Sequence, residues 1–278
     1  MAIDYDRYIH STGTHYIANS GSDENKSYSG GRAGDQTGHE WELKAWYNRP
    51  WTVILRWPDQ GVALTIARLS IEAALNDKIG YDQSQRTTYW QQLKAAGFAP
   101  SKITTACEED CTAGVSANVR AAGHLHGIRA LQDLPLCTSR NMRAEFTKAG
   151  FQVLTASKYL TGGGCLLPGD ILLCESHHAA ANITLGAKVR DQWHPDAAPQ
   201  PPETESADDL PEPPYVLLTG DAHVRQGPGR DYPSMGVARK AHRLHWWGFT
   251  YTNGWQLVAF DGRTGWISGK YAEVEEDD

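Results

Sequence analysis

Cys111 and the adjacent pair His177-His178 are the residues of this 278-residue chain whose types and settings point most directly to chemistry. A thiolate is a nucleophile and an imidazole a base, and here they lie far apart in sequence, so a fold must bring them together. Cys111 stands in Asp110-Cys111-Thr112-Ala113-Gly114, and Val115, Val119 and Ala122 recur behind it at i, i+4 and i+7. That pattern predicts a helix beginning at Cys111 and capped by Asp110. The unsatisfied amides and positive end of such a helix favour thiolate over thiol. Upstream of the histidines, Pro168-Gly169-Asp170 is followed by an apolar run from Ile171 to Cys174, and His178 to Leu185 is a second, Ala/Ile-rich run. Two adjacent strands are predicted, with an imidazole near the start of the second. Taken singly, each residue also has a bland explanation. A lone Cys in an Ala/Val/Gly helix is more often a small buried hydrophobe, and a lone His near a strand is more often structural.

The elements that must position this pair follow from composition and patterning. A 278-residue chain with 40% hydrophobic residues can hold one sizeable core and a small second domain. The residues from Asp191 to Pro214 contain seven carboxylates and no Lys or Arg, which equals the whole net charge of -7. With seven of the fourteen prolines as well, this stretch reads as an acidic, extended linker over 191-214, between domains at 1-190 and 215-278. The remainder is neutral, which argues against nucleic acid or an anionic membrane as a partner. No apolar run approaches membrane-spanning length, and the N-terminal Met1-Ala2-Ile3-Asp4-Tyr5-Asp6-Arg7 has neither the basic nor the apolar region of a secretion signal. Five scattered cysteines do not make a disulfide scaffold, so synthesis in a reducing cytosol is expected.

Residues 1 to 30 are polar and carry little information. Gly34-Asp35-Gln36-Thr37-Gly38-His39-Glu40 predicts a turn, Val53 to Trp57 a strand, and Val62, Ile66, Leu69 and Ala73 a helix that stops near Gly80, just before Tyr81-Asp82-Gln83. Beyond Tyr215 short runs alternate with glycine turns, Asp261-Gly262 being a strong hairpin signal, so a small β-barrel filled by aromatic residues is predicted.

The segments Ala222-His223-Val224-Arg225-Gln226-Gly227-Pro228-Gly229, Gly254-Trp255-Gln256-Leu257-Val258, Gly262-Arg263-Thr264-Gly265-Trp266-Ile267 and Lys270-Tyr271 resemble the bacterial SH3 (SH3b) family. His223 stands where that family usually has Asn. The resemblance implies binding to cell-wall peptidoglycan. Core packing explains each of the aromatic residues better than ligand contact does, so the binding surface is unassigned. Upstream, Gly34-Asp35-Gln36-Thr37-Gly38, Trp46-Tyr47-Asn48-Arg49-Pro50-Trp51, Gly80-Tyr81-Asp82-Gln83, Asp110-Cys111 and Gly169-Asp170-Ile171-Leu172 resemble, in order, the NlpC/P60 branch of papain-like cysteine peptidases, in a phage-lysin form. That likeness implies an α+β papain-like fold and hydrolysis of peptidoglycan amides without a cofactor. It makes Cys111 the nucleophile and His178 the base, places Tyr81 near the nucleophile, and makes Gly169-Asp170 scaffold. Thr112-Ala113 replace the usual Ser-Gly or Ser-Ser.

Neighbouring strand residues face opposite sides, so only one of His177 and His178 can face Cys111, and His178 has the family spacing. The third catalytic member is missing from its usual following strand. Asn182, two pleats along from His178, is a candidate to orient the imidazole, though a satisfied strand-end amide explains it equally. Asp35 and Gln36 are candidates to line the cleft. Competing readings are a zinc hydrolase using Cys174, His177 and His178 with Cys165 or Cys111, a non-catalytic wall-binding phage protein, an acyl transferase, and an N-acetylmuramoyl-L-alanine amidase of the same fold. A lysin made in the host cytoplasm without a signal would depend on a holin to reach the wall.

Overall fold

Burial on both faces of two short strands dominates the first domain, and the chain supplies it with runs of consecutive apolar residues. The structure is a computed structural model that describes residues 3–195, 215–251, 253–260 and 263–275, without the side chains of residues 247–249, 263 and 275. In chain order the first domain contains α1 (Asp6–Ile9), β1 (Tyr16–Ser20), β2 (Trp41–Ala45), β3 (Val53–Arg56), α2 (Gln60–Ala74), β4 (Ile79–Tyr81), α3 (Thr88–Ala95) and β5 (Cys107–Glu109). It continues with α4 (Cys111–Leu125), α5 (Arg129–Gln132), α6 (Met142–Ala149), β6 (Gln152–Leu154), α7 (Ser157–Leu160), β7 (Ile171–Cys174) and β8 (His178–Asn182). Six strands form one sheet in the order β2-β1-β8-β7-β3-β6, antiparallel throughout, while β4 and β5 form a separate parallel pair.

Val53, Leu55, Leu173, Ala179 and Ala181 pack with Val62, Ile66, Val115 and Val119 of α2 and α4. Ile54, Leu172 and Ala180 point to the other face, into a cluster with Ile17, Trp51 and Leu166. This period-2 division explains why β7 and β8 read as unbroken apolar runs rather than as alternation. α2 is capped by Asp59, which accepts from Gly61 N at 2.8 Å and Val62 N at 3.1 Å, a cap worth about 1 kcal/mol. It ends at Ala74, short of the expected Gly80. There Asn76 turns the chain, donating to the Pro100 and Ile103 carbonyls at 2.7 and 3.0 Å, and Ile79 enters β4.

The turn before β7 is held by charge and by backbone shape. Arg56 donates to both carboxylate oxygens of buried Asp170 at 2.8 and 2.7 Å, and the Leu167 amide reaches the same carboxylate at 2.8 Å. Gly169 adopts φ +85°, and a side chain there would run into the Ala63 backbone, so glycine is required on both counts. Gly169-Asp170 is therefore structural, as expected.

The first domain runs past residue 190. Trp193 is buried against Leu167, Leu185 and Val189, and Gln60 binds both the Gln192 carbonyl and the His194 amide, so the start of the acidic stretch is anchored. Most of the predicted linker lies outside the described residues. The second domain is all β, with strands β9 (Tyr215–Leu218), β10 (Ala222–Arg225), β11 (Ser234–Ala238), β12 (Arg243–Thr250), β13 (Trp255–Phe260), β14 (Arg263–Ser268) and β15 (Ala272–Glu275) in the order β11-β10-β14-β13-β12-β9-β15. The Asp261-Gly262 turn lies outside the described residues, but the strands flanking it pair from Phe260–Arg263 to Trp255–Ser268. Val216, Leu218, Val224, Val258 and Ile267 form its core, with Trp246 and Phe260 packed against them. His223 bonds the Ser234 hydroxyl at 2.8 Å across β10 and β11. Leu257 and Trp266 form an apolar seam with Ala130 of the first domain, and Ile128, Tyr251 and Trp255 pack on it.

Candidate active site

Asp110 begins the site as the sequence predicts. Its carboxylate accepts from the Thr112 and Ala113 amides at 2.9 and 2.8 Å, which fixes the first turn of α4 and places Cys111 at the helix start. The same carboxylate is gripped by the Arg86 guanidinium, which also reaches Thr112 Oγ1 at 3.1 Å and the Cys137 carbonyl. Arg86 thereby ties the start of α4 to the segment ahead of α6. The ion pair holds Asp110 below the usual carboxylate range despite its burial.

The Ala179 backbone amide lies near enough to Cys111 to favour its thiolate, so the sulfur faces the residue that follows His178. His178 is 5% exposed, whereas His177 is exposed, and the structure thus distinguishes the two. His178 Nε2 lies 2.9 Å from Asn19 Oδ1, which also accepts from the Tyr47 hydroxyl at 3.1 Å. An amide oxygen only accepts, so Nε2 carries the proton and Nδ1 keeps the lone pair of a base. The Trp51 ring stacks on the imidazole at 6.0 Å between centroids and 29° between planes. Trp51 is itself fixed by donating from its indole to the Tyr47 carbonyl at 3.3 Å.

Tyr81 is buried at the end of β4; burial disfavours its ionisation, and a charge on nearby Cys111 disfavours it further. Gln83 donates to the Tyr81 hydroxyl at 3.0 Å, leaving that hydroxyl's own proton to be donated elsewhere. Buried Glu40 accepts from the Tyr81 amide at 3.1 Å and the Gln36 amide at 2.8 Å, joining the Gly34 turn to β4.

Burial pushes the Cys111 thiol up to about 12. The Ala179 amide and Arg49 oppose that shift, and the nearby Asp110 and Glu109 reinforce it. Burial, with the charges of Arg49 and Lys44, lowers His178 to about 4. The resting pair is therefore a neutral thiol and a neutral imidazole, and the expected preformed thiolate is overturned: desolvation outweighs the helix terminus. Glu109, wholly buried and bonded by Ser20 Oγ, is raised well above the carboxylate range by burial.

Three sequence-derived assignments change. Asn182 does not touch the imidazole: its oxygen meets His15 Nε2 at 2.7 Å, and its amide donates to the Leu167 and Thr184 carbonyls at 2.9 Å each. That carboxamide is spent stitching β8 to its surroundings. Asp35 faces inward and accepts from the backbone amides of Thr37, Gly38, Glu40 and Trp41 at 2.8, 2.6, 2.9 and 3.3 Å, which leaves no lone pair directed at a cleft. Gln36 donates to the Ala33 and Gly34 carbonyls at 3.0 and 2.9 Å. Both residues build their own turn. Asn19, Arg86 and the stacking role of Trp51 were missed. A polar residue inside Tyr16-Ile17-Ala18-Asn19-Ser20, a short β-prone run, was the available signal for the first.

The fold and site define a mixed helix-and-sheet domain that sets a helix-borne cysteine against the strand that carries a buried histidine, joined to a small all-β domain. Residues 17–189 match the endolysin-like domain model, and the chain belongs to that family; residues 220–273 match the bacterial SH3 domain. No curated protein is significantly similar to the chain.

Proposed function

We propose that this protein is a papain-like, NlpC/P60-type cysteine peptidase of phage-lysin kind that hydrolyses amide bonds in peptidoglycan peptides. The observation that carries this reading is the convergence of Cys111, at the start of α4, on the first residues of β8, where Asn19 holds His178 as the Nε2–H tautomer. His178 Nδ1 takes the thiol proton as Cys111 Sγ bonds to the amide carbonyl carbon. The tetrahedral oxyanion accepts from the Cys111 backbone amide and the Tyr81 hydroxyl. The imidazolium then protonates the leaving amine, the C–N bond breaks and a thioester remains. Water, deprotonated by His178, attacks that thioester and releases the acid and the free thiol.

Because both groups rest neutral, the ion pair arises only on attack. Its formation is favoured by Asn19, whose bond to Nε2 strengthens as the ring becomes charged. The family membership supports a wall-lytic role, and the SH3 domain supports retention on the wall, which raises the local concentration of enzyme on a solid substrate. An N-acetylmuramoyl-L-alanine amidase would use the same steps on a neighbouring amide. Purified peptidoglycan digested with the wild type and with Cys111→Ala, followed by mass spectrometry of the released ends, tests the reading. New termini from the wild type alone support it and name the bond. Equal release by both removes Cys111 as nucleophile, and release by neither favours a wall-binding protein without catalysis.

A further inference from the structure

Arg49 lies in the turn that builds one wall of the site. Two residues before it, Tyr47 donates to Asn19; two residues after it, Trp51 stacks on His178. The turn is rigid: the Trp51 amide donates to the Arg49 carbonyl, the Trp51 indole donates to the Tyr47 carbonyl at 3.3 Å, and Pro50 restricts the intervening backbone. Arg49 is half-buried there, and its charge acts on both Cys111 and His178.

Every other charge around the pair is accounted for. Asp110 is taken by Arg86, Glu109 is bonded by Ser20, and Lys44 is held by Glu42 at 2.9 Å. Among the described residues no carboxylate pairs with Arg49. A half-buried guanidinium with no counter-ion, held beside the reacting groups by a rigid turn, is a receptor for an anion that arrives with the substrate. Its planar fork matches a carboxylate better than any neutral group.

Given the proposed wall-peptide chemistry, we infer that Arg49 binds a free carboxylate of the peptide next to the amide under attack, and so selects anionic stem peptides over amidated ones. Wall stems offer this group wherever an acidic residue is linked through its side chain and its α-carboxylate stays free. A carboxylate seated on Arg49 also cancels a positive charge that lowers the basicity of His178, so the preferred substrate improves the base that acts on it.

The test uses the full chain carrying Cys111→Ala, so that binding is read without turnover. Two disaccharide-tetrapeptides are compared by calorimetry, one with a free α-carboxylate and one with a carboxamide at the same position. The expected result is at least tenfold tighter binding of the free acid, the least that one charge-assisted bidentate contact provides. Adding Arg49→Gln brings the two affinities within about threefold by removing that contact, and Arg49→Lys keeps part of the preference. Equal binding of both compounds by Cys111→Ala, binding of neither, or a preference that survives Arg49→Gln overturns the inference. Failure of the peptidase reading is seen separately, as absence of new termini when wild-type enzyme digests whole peptidoglycan.

Discussion

Replacing Asn19 by Ala removes the acceptor 2.9 Å from His178 Nε2 and leaves Cys111, Tyr81 and the helix cap in place. In the resting state the lost bond joins two neutral groups and is worth about 1 kcal/mol net. When the ring takes the thiol proton, that bond becomes charge-assisted and roughly twice as strong. The difference of about 1 to 2 kcal/mol falls on the transition state, so kcat should drop ~5- to 30-fold with KM little changed. Release of soluble muropeptides, with rates normalised to folded protein, measures this. Asn182→Ala provides the contrast. It strips the partners of His15, Leu167 and Thr184, costing about 2 to 4 kcal/mol of stability while turnover by the folded fraction stays intact. Full activity in Asn19→Ala, or the kcat loss appearing instead in Asn182→Ala, would refute the assignment of Asn19 as the group that positions the base.

Three further outcomes follow from the same geometry. His178 is lowered to about 4 from an ordinary 6.5, so its contribution to stability is complete above pH 6.5, declines as pH falls, and is lost by about pH 4, amounting to about 3 kcal/mol. Urea midpoints of the wild type minus those of His178→Gln isolate it from Glu108 and Glu109, whose raised values act in the opposite direction; a flat difference between pH 6.5 and 4 would contradict the buried neutral ring. Asp110→Ala removes a helix cap and leaves Arg86 without its carboxylate, so a loss of about 2 to 4 kcal/mol and a Tm drop of ~5 to 15 °C is expected in thermal unfolding. A shift under 2 °C would mean that the pair is solvated. Deleting residues 215–278 should weaken lysis of intact cells more than cleavage of soluble muropeptides, and equal losses on both would show that the second domain does not act through retention.

The elements that carry Cys111 and His178 were legible because each has a local cause. Asp110 caps whatever helix follows it, and Gly169-Asp170 can only turn before a buried strand. The resting protonation state was not legible, since it depends on how completely the site is desolvated, and neighbouring residues in sequence do not reveal that. Asn182 was a reasonable choice by strand alternation, and it does share a strand with His178, but its carboxamide is claimed by His15 from outside that strand. Asn19 could not be singled out because its role rests on the pairing of β1 with β8. Asp35 and Gln36 looked like cleft residues for their polarity, whereas a tight turn consumes that polarity internally.

The imidazole and the carboxamide that orients it are separated by 159 positions along the chain. Neighbouring strands in the finished sheet, β1 and β8 are therefore among the first and last parts of the domain to leave the ribosome. A nascent chain carries Cys111 before it carries His178, and the tautomer of that imidazole is set only when the late strand zips onto the early one. Such long-range closure is slow compared with local helix formation. Under the proposed chemistry the chain is inert until β1 and β8 have paired, and trimming β1 would disarm it without touching Cys111 or His178.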